Sequence, residues 1–430
     1  MIKRLLLSVL LLTAFCGVAN ADLVDALGRL RNSNFLGTGH DQPQTLFDTK
    51  QIFDKNPLFW DDQEVSGGGT SSSHSTATAA TVLAVSTNTA GVRTRQSFMW
   101  MNYQPAKVQH VIQTGCLIAS GGGSGIEAYA GQLNDDNGVA FFYDEGTVKT
   151  LIRTSTSGSV VNNTTNQSDW DDPMDGTGRS GKTVDWTKGQ VFIVSYGWLG
   201  IDAVVFSMKI DGEVWVVNVK KHANIINPPY MSTANLPLRW SIENDGTGVA
   251  SSTVIQCSTI ISEGGTENFG LLQYLSTKGT HVDCATENTT YAIAGIRLKS
   301  THLGASINIE NITIATPTAN GHFEWDLVIN PVVTGTFVYQ DRRNGSIQAA
   351  LASGAGPTVT FNEEDVIGGG MVISGGGSAR GGGGERGINN ARRIGSAIDG
   401  TVDTIVLCAT PIMGASGIDI EASIDYKELN

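Results

Sequence analysis

Two β-rich runs, VVFSMKI (Val204–Ile210) and EVWVVNVK (Glu213–Lys220), face each other across a single Asp211-Gly212 pair. A two-residue loop of this kind favours a tight type I′ turn, and the turn fixes the register of the strands it joins. It pairs Ile210 with Glu213, Met208 with Trp215, Phe206 with Val217 and Val204 with Val219. One face is then almost wholly apolar, with Phe206, Met208, Trp215 and Val217 assigned to a core. The other face, with Ser207, Lys209 and Asn218, is mixed. The same period of two recurs from Thr81 onward in TVLAVS, GVAFFYDE, QVFIVSYGW, STVIQCSTIIS, TTYAIAGIRLK and HFEWDLVIN. Amphipathic helical stretches are few and only 16% of residues are charged. The chain is therefore expected to be all-β.

Turn-rich breaks divide the alternation into two β-sandwich or jelly-roll-like domains with an extended N-terminal arm. Residues 1–21 have Lys3 and Arg4, an apolar run and Ala19-Asn20-Ala21, the pattern of a secretory signal. Residues 22–65 mix short apolar pieces with Pro and Gly and are expected as the arm. SGGGTSSSHSTATAA (66–80) has a linker composition and opens domain 1 (66–265). EGGTENFG breaks the pattern before domain 2 (266–430). No second apolar run approaches bilayer length, so no membrane association is expected after cleavage. The expected location is a virion or the extracellular space.

The formal net charge of −13 becomes more negative when Lys3 and Arg4 are removed. Nucleic acid is excluded as a partner, because phosphate neutralisation needs clustered cations. Cys116, Cys257, Cys284 and Cys408 have wide spacing without C-x-x-C, which argues against zinc and leaves disulfides or buried thiols open.

WDD occurs at Trp60 and at Trp170, the latter running into PMDGTG. Asp169, Asp171, Asp172 and Asp175 are the candidate hard-ion ligands, for Ca²⁺, against ordinary turn chemistry. No other cofactor is expected. Trp170, Trp186 and Trp198 are expected as exposed aromatics and are candidate ligand or interface residues. FEWDLVI places Glu324 and Asp326 on one strand face, but Ile329 stands where a jelly-roll glycosidase pattern E-x-D-x-x-E needs its third acid. The histidines are scattered and no G-x-S-x-G elbow marks a nucleophile, so no catalytic residues are assigned. RGGGGERG lacks the Lys-Ser/Thr of a phosphate loop and reads as a mobile loop, and ARRIGSAI as a short basic helix or an inter-subunit contact.

VDALGRLRNSN, TLFDTKQIFDKNPLFWDDQ, GVRTRQSFMWMNYQPAKVQHVIQTG, YMSTANLPLRWSIENDGTG and GSAIDGTVDTIVLCATPI, in this order, resemble segments of a family of phage virion proteins. The resemblance covers nearly all of the chain beyond residue 21. It implies a non-enzymatic head- or tail-associated component built from jelly-roll-like β domains. Its expected partners are itself, as a homo-oligomer, and other virion proteins. The alternative expectation is a secreted carbohydrate-binding module or adhesin with cell-surface glycans as partners.

Overall fold

The computed structural model describes residues 43–263, 270–373, 380–381 and 394–429, and in them the chain is all-β. The first sandwich faces two antiparallel sheets against each other. One runs in the order Glu213–Lys220, Val204–Ile210, Gln190–Tyr196, Gln109–Ser120, Ser251–Ser262, Ala80–Val85 and Thr70–Ser75, with Gln44–Lys50 also paired to Ser251–Ser262. The other is seven-stranded: Val161–Asn166, Thr147–Thr154, Gly138–Asp144, Ile126–Leu133, Leu236–Asn244, Gly91–Met101 and Trp60–Gly67. Between them lie Trp240, Phe141, Phe192 and Phe206, all fully buried. Phe141 meets Phe206 edge-on at 5.6 Å and the tilted Phe192 ring at 5.1 Å. Each such side chain contributes about 1.5–3 kcal/mol on burial.

The second sandwich packs Tyr291–Leu298, Thr404–Pro411, Phe323–Ile329 and Val366–Val372 against a sheet centred on Ile418–Leu429 and Ser306–Ala315. Burial along Ile418–Leu429 alternates almost residue by residue, as the sequence pattern requires. Ile293, Ile296, Leu327, Leu407, Ile420 and Ile424 form its core.

Segment 394–403 straps the two units together. Ser396 N–H donates to the Phe98 carbonyl at 3.0 Å, and Trp100 Nε1–H donates to Ser396 Oγ at 3.0 Å. Ile398 N–H donates to Asp61 Oδ2 at 2.7 Å. A Cβ at Gly395 would lie 1.8 Å from the Phe98 carbonyl oxygen, so only glycine permits this approach.

Several segments differ from expectation. Gln44–Lys50 and Trp60–Gly67, read as an arm, are strands of the two sheets. Thr70–Ser75, read as linker, pairs with Ala80–Val85. Hydroxyl-rich strands carry little apolar signal, and an edge needs little. Val366–Val372 is an edge strand paired with Phe323–Ile329. The signal sequence, most of the break before domain 2 and all of RGGGGERG beyond Gly381 lie outside the described residues. All four described cysteines are free thiols.

The Asp211-Gly212 turn has both residues at positive φ, +53° and +87°, as expected. Its register holds for Ile210–Glu213 and Met208–Trp215 and then shifts at a bulge. Phe206 therefore faces Asn218, not Val217, and Val204 faces Lys220. Phe206, Met208 and Val217 are buried as assigned, with Trp215 half-buried against the core. The bulge turns Asn218 inward, where its amide donates to Thr150 Oγ1 at 2.6 Å. Turn chemistry sets register only as far as the first bulge.

Candidate functional site

The four aspartates proposed as cation ligands do not converge. Asp172 is fully buried and accepts from Ser180 N–H at 2.8 Å and Ser180 Oγ–H at 3.0 Å. Asp171 Oδ2 accepts from Val219 N–H at 2.8 Å. Asp175 Oδ1 closes a turn on Thr177, and Asp169 ends the short helical turn Gln167–Asp169. Asp172 N–H donates to the carbonyl of the bulged Val217 at 3.0 Å. The loop thus seals the edge strand Glu213–Lys220, which would otherwise present unpaired backbone. Among the described residues no cluster of three His, Cys, Asp or Glu is placed to hold a metal ion.

The three tryptophans are anchored inward. Trp170 is 5% exposed, donates to the Thr165 carbonyl and meets Trp186 edge-on at 6.1 Å. Trp186 donates to Gln167 Oε1 at 2.9 Å. Trp198, half-buried, donates to the Met231 carbonyl and packs against Tyr103. Glu324 and Asp326 sit on the outward side of Phe323–Ile329, with Glu324 exposed.

One histidine has partners that sequence reading did not bring together. His110 contacts Ser195 Oγ through Nδ1 at 2.7 Å and Glu263 Oε1 through Nε2 at 2.9 Å. This has the order of a nucleophile-base-acid chain. However, Gln190–Tyr196 is paired on both sides, so the backbone N–H groups around Ser195 serve the ladder. The strand thus offers no oxyanion donors. The chain ties the end of Ser251–Ser262 to the sheet.

The outward face of the seven-stranded sheet is different. Residues directly opposite in an antiparallel pair share a face. One row across the sheet reads Lys149, Phe142, Tyr129, Ser241, Thr94. The adjacent row reads Asp144, Glu127, Glu243. Leu133, Ala140 and Leu151 form an apolar floor with Phe142. The Arg153 guanidinium lies 5.5 Å from the Tyr129 ring centre, and its Nε donates to Asn162. The hairpin turn Glu145-Gly146, at positive φ in both residues, delivers Asp144 to the row.

Charge in the acid row is unevenly matched. Lys149 forms an ion pair with Asp144. Glu127 and Glu243 stand opposite each other with no such partner among the described residues. Burial, with the charges of Asp144, Glu243 and Glu145 adding to it, pushes Glu127 up to about 7. Burial also raises Glu243 above the usual carboxylate range. Like charges directly opposite in a sheet destabilise it, so the fold gains nothing from this pair. A carboxyl protonated near neutrality can donate a hydrogen bond while its neighbours accept. The sequence signal was a lone acid in each of two otherwise alternating strands, IEAYAGQL and LPLRWSIEN. Their adjacency emerges only from tertiary pairing.

No family model and no curated protein matches the chain. It is similar in structure to an endo-1,3-β-glucanase from Streptomyces sioyaensis (TM-score 0.35, 10% identity, 51% of this chain and 96% of that one). It is also similar to the CBM2 module of an evolved Dit protein of Lactobacillus casei BL23 phage J-1 (TM-score 0.34, 8% identity, 53% and 99%). Peanut lectin gives a TM-score of 0.32 at 11% identity, over 52% of this chain and all of the lectin.

Proposed function

We propose that the protein is a non-catalytic component of a virion or extracellular assembly that holds a glycan on the outward face of its seven-stranded sheet. The observation that carries this reading is the Tyr129–Phe142 row lying beside Glu127 and Glu243. An aromatic ring offers apolar surface to a sugar ring, and Tyr129 is the half-exposed ring here, backed by the buried Phe142. Glu127, when protonated, donates to a hydroxyl, and Glu243 and Asn162 accept or donate around it. The sequence resemblance to virion proteins supports the assembly half. So does the edge strand Leu271–Ser276, whose Leu272 and Tyr274 are 62% and 55% exposed while Leu275 is buried in the core.

The test is a glycan array on the full chain, followed by calorimetry with the best neutral oligosaccharide. Tyr129→Ala is expected to weaken binding about tenfold with its melting temperature preserved. A wild-type protein that binds no glycan removes the reading. Light scattering addresses assembly: Leu272→Lys should lower the mass of a wild-type oligomer, and a strictly monomeric wild type sinks that half.

A second reading, glycoside hydrolysis, is favoured by one feature. Glu127 and Glu243 stand directly opposite each other on one sheet face, where paired Cβ atoms lie about 4.5–5.5 Å apart, and retaining enzymes use two carboxyl groups about 5 Å apart. Reducing-sugar release abolished in Glu127→Gln with binding retained would establish it. Binding without any release by the wild type would exclude it for the bound glycan.

A further inference from the structure

The second sandwich carries a cavity of about 670 Å³ on the outward side of its larger sheet. Its lining includes Arg297, Phe337, Tyr339, Gln348, Asn330 and Thr404. The register places Arg297 opposite Gln348 on one neighbouring strand and opposite Thr404 on the other. Two rows along, Gly295 makes room for the aromatic wall: a Cβ there would lie 2.4 Å from Tyr339 Oη and 2.8 Å from the Phe337 ring. The rings meet edge-on, centroids 5.5 Å apart. Asn330 is a fixed wall, donating to Asp403 at 2.8 Å and accepting from Thr404 N–H at 2.7 Å.

Arg297 is the unusual member. Its guanidinium lies 4.3 Å from the centre of the Tyr339 ring, and its Nε donates to Gln348 Oε1 at 2.7 Å. The Gln348 amide is in turn held by Asp341 at 2.8 Å. Among the described residues no carboxylate lies within ion-pair distance of Arg297, and the cavity lining contains none. In a chain with a formal charge of −13, a partly buried cation facing a cavity without an anion is conspicuous. Its stacked, tethered position is preorganised for a planar anion, because the terminal amino groups form a fixed fork. The cavity size suits a small ligand, and the rings beside it offer an apolar wall.

We propose that this cavity is a binding site for a carboxylate-bearing sugar, its carboxylate taken by the Arg297 fork and its ring set against Phe337 and Tyr339. The site is separate from the outward face of the first sandwich and does not depend on the function proposed for that face.

Titration of the full chain with glucuronate, followed by heteronuclear NMR and calorimetry, tests it. Glucuronate should bind at least about tenfold more tightly than glucose or acetate, since a charge-assisted bidentate contact and the ring contact are each then missing. Shifts should centre on residues of Tyr291–Leu298 and Ile347–Leu351. Arg297→Gln should lose that advantage, and Arg297→Lys, which keeps the charge without the fork, should fall between. The lysine variant also covers the case in which the glutamine variant fails to fold. The proposal is overturned if glucuronate does not bind, if glucose or acetate matches it, or if folded Arg297→Gln binds it as the wild type does.

Discussion

The outward faces of the two sandwiches are opposites. In the first, Glu127 and Glu243 oppose each other with no ion-pair partner among the described residues; in the second, Arg297 lies beside a cavity whose lining holds no carboxylate. Both faces sit on comparable antiparallel sheets with similar apolar cores behind them. The difference therefore lies in which side chains the register turns outward. Packing explains Trp240 or Leu407, since burying them stabilises the fold. It does not explain two carboxyls or a guanidinium that lack an ion-pair partner, each of which costs stability. Such groups are the parts of a structure most in need of a functional account.

The largest expected effect breaks the link between the two faces. Gly395→Ala drives a Cβ to 1.8 Å from a backbone oxygen of the first unit, so the strap must move. A loss of about 3 kcal/mol is expected, as for severe overpacking. Calorimetry should show one unfolding transition in the wild type and two in the variant. A single unchanged transition would mean that segment 394–403 does not couple the units.

Two acids in the same sandwich sharpen the comparison from within. Asp172 is buried and receives three donors, Ser180 N–H, Ser180 Oγ–H and, at 3.4 Å, Met174 N–H. Asp172→Ala should cost about 2 kcal/mol by leaving buried donors unsatisfied. Chelators should not shift the wild-type melting temperature, because these carboxylates are spent on protein donors. Glu127 is the reverse case, with burial and three like charges outweighing the opposite charge of Arg153. Its folded pKa, about 7, lies above its unfolded value near 4.5. Between those values the native state holds the extra proton, so stability falls as pH rises through that window and is flat above it. Glu127→Gln should therefore raise stability by about 1–2 kcal/mol at pH above 7, after discounting for its partial exposure. It should give almost nothing below pH 4.5. A variant no more stable than wild type on the alkaline side would contradict the picture of a carboxyl whose burial and like charges outweigh Arg153.

The all-β fold was legible because alternation of period two survives in strands such as Ile418–Leu429, and the Asp211-Gly212 turn was legible from its dipeptide. The bulge at Val217 was not, because the extra residue is as apolar as its neighbours. Thr70–Ser75 reads as a linker because an edge strand of hydroxyl residues has a linker's composition. A tryptophan in sequence reads equally as a ligand contact or as core, and Trp170 and Trp186 pack on each other and on the core. Glu127 and Glu243, or Arg297 and Tyr339, are ordinary residues until pairing brings them together. Their chemistry lives in register between strands distant in sequence, which a single sequence does not specify.

The smallest effect closes the comparison from the other side. Arg297→Gln removes a cation–π contact with Tyr339 and a hydrogen bond to Gln348, but it also removes a partly buried charge that no anion balances. These terms oppose, and each is about 1 kcal/mol, so the net change in stability should stay within about 1 kcal/mol. Arginine does not titrate near neutrality, so the change should be the same on both sides of the window in which Glu127→Gln changes its effect. Melting curves of the two variants, collected across that window, separate the cases. A sloping Arg297→Gln difference would show that an acid compensates the guanidinium after all, and the two outward faces would then differ in kind far less than their geometry indicates.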